Sequence, residues 1–128
     1  MRNILIVGAG KSSPYLIKYL LDKSQEQNLY LNITDVTIDH LLHHKKNNRC
    51  TVSTINILDD KEREEYLLKN DIIISMLPAR LHMILANSCL KLKKNLITAS
   101  YVSDEMRSIN RKVKDRNLIF LNEMGLDP

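Results

Sequence analysis

The sequence predicts an α/β domain: a doubly wound parallel sheet of about six strands with helices on both faces. Three observations carry that expectation. Short apolar, β-branched runs alternate with longer amphipathic segments in the order βαβαβαβαβαβ, and several runs are apolar on both faces, as strands between two helical layers must be. The 128 residues suffice for one core and not for two, so residues 1–128 are read as one domain. All three glycines, Gly8, Gly10 and Gly125, fall in segments that follow predicted strands, where open parallel sheets bind their ligands.

Along the chain, Asn3–Val7 (NILIV) is a buried strand ended by Gly8. Ser13–Lys23 places Leu16, Ile17, Leu20 and Leu21 on one helical face, with Pro14 in the first turn, where its missing N–H costs nothing. Leu29–Thr34 is the second strand, Ile38–Lys46 a helix and Cys50–Ile57 the third strand. Asp59–Asn70 is a helix whose acids crowd the N-terminal turn, where the macrodipole favours them. Asp71–Leu77 is the fourth strand, stopped by Pro78, and a helix then runs through Cys89. Asn95–Ser100 is the fifth strand, Ser103–Lys114 a helix, the run LIFL (Leu118–Leu121) the sixth strand, and a tail begins at Asn122.

Composition narrows the function. The net charge of +4 is mild and its lysines and arginines lie among acids, while Trp is absent and aromatics make up 5%. Neither a basic patch nor base-stacking side chains are available, so no nucleic-acid partner is expected. There is no apolar run of membrane length and no leader-like N-terminus, and Cys50 and Cys89 lack CxxC spacing and read as free thiols. A cytoplasmic protein without a membrane partner is expected. His40, His43 and His44 form an HxxHH cluster beside Lys45 and Lys46, read as a solvated face; no metal site is expected.

The first loop, GAGKSS, invites two readings. A mononucleotide P-loop needs a glycine where this chain has Leu5, in mid-strand, so the wide phosphate nest cannot form. A dinucleotide loop fits better: Gly8 for the tight turn, Gly10 for close approach to a pyrophosphate, Ser13 as a small third element, with Lys11 and Ser12 adding a cation and a hydroxyl. Asp35 ends the second strand, where a carboxylate accepts from the adenosine ribose hydroxyls and repels the extra phosphate of NADP. The expected cofactor is therefore NAD, with NADP as the alternative. A second role for Asp35, compatible with the first, is to cap the following helix. Val36, Asn56 and Ile57 follow the second and third strands and join the cofactor-binding candidates.

ISMLPARLH (Ile74–His82), TASYVSDEM (Thr98–Met106) and NEMGLDP (Asn122–Pro128) resemble segments of the saccharopine dehydrogenase family, in its glutamate-forming branch. The resemblance implies the NAD(P)-binding Rossmann domain of an oxidoreductase of lysine metabolism. Leu77, Pro78 and Ala79 would border the nicotinamide-side ribose, Ser100 and Tyr101 the junction of cofactor and substrate, and Leu126 and Asp127 the substrate. Tyr101 and Asp127 would handle protons while hydride passes between the nicotinamide and the secondary amine of saccharopine. His82 would be a helix residue lining the cleft. Two positions depart from the family: Ser13 in the third loop position, and Asp35 in place of the Ser/Arg signature of NADP-dependent members. The family's second domain, which supplies most substrate contacts and the homodimer surface, is expected to lie outside residues 1–128, leaving this stretch with little activity alone. A free-standing NAD(H)-sensing regulatory module is the competing reading.

Overall fold

The computed structural model describes residues 1–9, 13–98 and 120–122. Six strands form one parallel sheet: β1 (Arg2–Val7), β2 (Leu29–Asp35), β3 (Cys50–Thr54), β4 (Ile72–Ser75), β5 (Asn95–Thr98) and β6 (Phe120–Asn122), in the spatial order β3-β2-β1-β4-β5-β6. This is the doubly wound dinucleotide order, with its switch point between β1 and β4. Among the described residues three α-helices, α1 (Ser13–Ser24), α2 (Asp60–Leu68) and α3 (Ala79–Leu92), and one 3-10 helix (Asp39–Lys46) cover it. The predicted helix at Ser103–Lys114 lies outside the described residues.

The continuous apolar runs serve both faces because side chains alternate along a strand. Leu5, Val7 and Ile73 face a layer holding Leu67 of α2 and Leu85, Ala86 and Cys89 of α3. Ile4, Ile6 and Ile74 face the opposite layer, with Leu16 and Ile17 of α1 and Leu41 of the 3-10 helix. Cys50 and Cys89 are both free and buried.

Element ends shift by a few residues from the sequence expectation, and some of the differences have a clear cause. Residues 39–46 wind as a 3-10 helix because Leu41 alone is buried there, too little apolar surface to hold an α-helical face. β3 stops at Thr54 and β4 at Ser75, although apolar residues continue. Ile57 and Leu77 leave the ladder, Ile55 keeps a last N–H bond to Asp35 O at 3.0 Å, and all three stay buried in the core cluster of the α2–α3 layer. Their hydrophobicity reports burial rather than strand.

Asp59 caps α2 by accepting the Glu62 N–H at 3.0 Å. Arg63, one turn in, is 7% exposed and ties three segments together. Its Nε donates to Ser88 of α3 at 2.7 Å, one terminal nitrogen donates to the Ile57 carbonyl at 2.6 Å, and the other pairs with Asp60 at 2.6 Å.

Candidate functional site

The carboxyl ends of β1 to β4 converge on Gly8. Its φ of +86° belongs to glycine, and a Cβ there would stand 3.2 Å from both Leu77 Cδ2 and the Met76 carbonyl carbon. The turn is held from β2 and β4: Gly8 N–H donates to Thr34 O at 2.9 Å, and Met76 N–H to Val7 O at 2.8 Å. Leu5 is fully buried in mid-β1, which removes the P-loop alternative. The helix that follows the turn starts at Ser13 and runs twelve residues, so its N-terminal N–H groups open toward this end of the sheet. Gly10, Lys11 and Ser12 lie outside the described residues, as do Ser100, Tyr101, Leu126 and Asp127.

Asp35 stands across the turn from β1. Its Oδ2 accepts the Ala9 N–H at 3.1 Å and its Oδ1 accepts the Val36 N–H at 2.7 Å. His40 Nε2 is 3.3 Å from Oδ2, an ion pair when the imidazole is protonated. Asp35 does not cap the following helix: the N-cap position is Ile38, without a side-chain cap. The carboxylate instead fastens the loop that ends β1.

Beside Asp35 opens a cavity of about 210 Å³. Its floor is apolar, from Val7, Ile55, Ile57 and Leu77, and Gly8, Asp35, Val36, Asn56, Leu58, Arg80 and Leu81 complete the wall. Gly8, Asp35, Val36, Asn56, Ile57 and Leu77 are thereby brought together as expected from sequence. Arg80, Leu58 and Leu81 were not foreseen. Pro78 and Ala79 are exposed at the start of α3, next to this wall.

His82 departs from its expected place. It is 1% exposed and buried rather than lining the cleft, with Nδ1 hydrogen-bonded to Ser75 Oγ and Nε2 without a partner among the described residues. Burial pushes its pKa down to about 4, so the ring is neutral at physiological pH. A second cavity, of about 510 Å³, separates α1 from the 3-10 helix, with His40, His43 and His44 on its rim. Among the described residues no three His, Cys, Asp or Glu side chains are placed to hold a metal ion.

A glycine-only turn, an acceptor at the end of β2 and an apolar cavity between them suit an adenine dinucleotide. The sequence matches the family model described as the saccharopine dehydrogenase NADP binding domain over residues 4–121. The chain belongs to the saccharopine dehydrogenase NADP-binding domain family.

Two relatives illustrate the match. The alpha-aminoadipic semialdehyde synthase of Arabidopsis thaliana is 40% identical over 74 residues, 58% of this chain and 7% of that protein. The mitochondrial alpha-aminoadipic semialdehyde synthase of Mus musculus is 29% identical over 128 residues, 99% of this chain and 14% of that one. The apo structure of saccharopine dehydrogenase (L-Glu forming) from Saccharomyces cerevisiae superposes with a TM-score of 0.81 at 22% identity, covering 100% of this chain and 28% of that one. The chain thus spans a small part of these relatives. Its family fixes an NAD(P)-type dinucleotide domain of Rossmann fold, and no helix among the described residues is long and apolar enough to cross a membrane.

Proposed function

We propose that residues 1–128 are the dinucleotide-binding domain of a saccharopine dehydrogenase-like oxidoreductase, forming glutamate, and that NAD is preferred over NADP. The observation that carries the cofactor choice is the Asp35 carboxylate at the mouth of the adenosine cavity. There it accepts from the ribose hydroxyls and repels a 2′-phosphate. Gly8 makes the tight turn, and Gly10 lets the backbone approach the pyrophosphate, with Lys11, Ser12 and Ser13 completing its seat. By the family resemblance Pro78 and Ala79 border the nicotinamide-side ribose, and Leu77, which also floors the adenosine cavity, stands between the two halves of the cofactor.

When bound, the nicotinamide supplies the hydride acceptor for oxidation of the secondary amine of saccharopine to an imine, which water hydrolyses to glutamate and an aldehyde. Ser100 and Tyr101 position the cofactor against the substrate, Leu126 and Asp127 hold the substrate, and Tyr101 and Asp127 exchange the proton of the amine. These roles rest on the resemblance of TASYVS and NEMGLDP to the family's segments. Turnover requires a substrate-binding domain beside residues 1–128, and a homodimer would form mainly through that domain. Two buried free thiols support a reducing compartment, here the cytoplasm.

Fluorescence titration of the 128-residue chain with NADH and NADPH tests the reading. Saturable binding, tighter for NADH, is expected. Tighter NADPH binding overturns the cofactor choice alone; saturable binding of neither overturns the dinucleotide assignment. Saccharopine oxidation restored by a family substrate domain added in trans tests the reaction separately.

A further inference from the structure

The adenosine cavity has two unlike lips. Strand order puts the residues after β2 and β3 on one side of Gly8 and those after β4 on the other. The first lip carries Val36 and Leu58, large apolar side chains left 72% and 65% exposed. The second carries Arg80, in the first turn of α3.

Arg80 gains nothing evident from its position. A cation in the first turn of a helix opposes the macrodipole, and no acid stands in that turn to offset it. Among the described residues the ion pairs are Lys23–Glu26, His40–Asp35, Arg63–Asp60 and Lys91–Glu64; Arg80 enters none of them. It lines the cavity with Asp35 yet does not pair with it.

A flat ring explains both lips together. Two exposed apolar side chains lose water when a planar aromatic group lies on them, and a guanidinium stacks on the opposite face through its own plane and charge. We propose that Arg80 is a nucleotide-binding residue whose guanidinium lies on the adenine ring, clamping it against Val36 and Leu58; this rests on the dinucleotide reading above. The contact is to the base, so it is indifferent to the number of phosphates.

Calorimetry or ligand-observed NMR on the full 128-residue chain tests it, with adenosine, 5′-AMP, NADH and nicotinamide mononucleotide as probes. Arg80→Ala is expected to weaken adenosine, 5′-AMP and NADH by a similar factor, about fivefold, and to leave nicotinamide mononucleotide unchanged. Arg80→Lys, which keeps the charge and loses the plane, should fall between. Because Arg80 is exposed and its charge opposes the helix dipole, the melting temperature should not fall. Adenosine affinity unchanged in Arg80→Ala overturns the stacking, even if 5′-AMP and NADH weaken, since that pattern marks a phosphate contact. A wild-type chain that binds neither adenosine nor NADH overturns the dinucleotide reading and the Arg80 contact together. Retained NADH binding with an indifferent Arg80 overturns this contact only.

Discussion

The Asp35 carboxylate at the end of β2 accepts the Ala9 N–H at 3.1 Å, across the turn that ends β1. One side chain therefore holds the first loop in place and presents negative charge to the cavity beside it. The two tasks separate chemically, because the first needs an acceptor oxygen and the second a charge.

Asp35→Asn removes the charge and keeps one acceptor oxygen, enough for the Ala9 N–H at the expense of the bond from Val36 N–H, which both nucleotides feel alike. NADPH affinity should rise relative to NADH by roughly tenfold, the scale of one part-exposed like-charge contact. Asp35→Ala loses the oxygen as well, frees the Ala9 N–H, and should weaken both nucleotides. Paired titrations with NADH and NADPH read both effects. An unchanged NADPH-to-NADH ratio in Asp35→Asn would mean that the carboxylate only secures the loop.

Gly8→Ala should fail for a reason of backbone and space together. The φ of +86° disfavours any L side chain, and the added methyl would meet Leu77 and the Met76 backbone at 3.2 Å. A loss of about 1–3 kcal/mol of stability is expected, with nucleotide binding reduced more than Tm. Denaturant melts beside NADH titrations make the comparison. A variant as stable as the wild type, with unaltered affinity, would remove this turn from the site.

The order of strands and helices was legible because burial between two layers writes a β-branched run that polar helices cannot imitate. Strand ends were less legible: Ile55, Ile57 and Leu77 are buried by the core, and a sequence does not distinguish that from ladder pairing. Gly8 and Asp35 could be found from their spacing, since turn and acceptor are local requirements. Arg80 and Arg63 could not. An arginine in the first turn or two of a helix reads as solvated until the fold shows which elements it faces. The Asp35 bond to Ala9 was hidden for the same reason, joining residues 26 apart across two strands.

Arg63 is expected to be a stability residue despite its place on an acidic helix. Arg63→Ala strands the Ser88 hydroxyl and the Ile57 carbonyl in the interior and should cost about 3 kcal/mol. Asp60, 86% exposed, makes the nominal salt bridge, yet Asp60→Ala should change stability by less than about 1 kcal/mol. Chemical denaturation of both variants decides the matter. Equal losses would show that the ion pair, rather than the buried hydrogen bonds, holds α2 to its neighbours.

His82 sets a pH dependence whose sign follows from its burial. Its Nδ1 is engaged by Ser75, its Nε2 meets no partner among the described residues, and removal from water lowers its pKa from 6.5 to about 4. Unfolding exposes the ring and returns it to the ordinary value. Between those two values the unfolded chain binds the proton and the folded chain does not, so acidification favours unfolding. The stabilisation from a neutral His82 is complete above pH ~6.5, falls progressively below it, and is gone near pH ~4, an overall change of roughly 3 kcal/mol. Subtracting the pH profile of His82→Leu from that of the wild type isolates this contribution, because the comparison reads slopes and tolerates a less stable variant. The difference in unfolding free energy should shrink steadily from pH 7 toward pH 4. A difference that stays constant over that range would mean that His82 takes up its proton in the folded chain as readily as in the unfolded one.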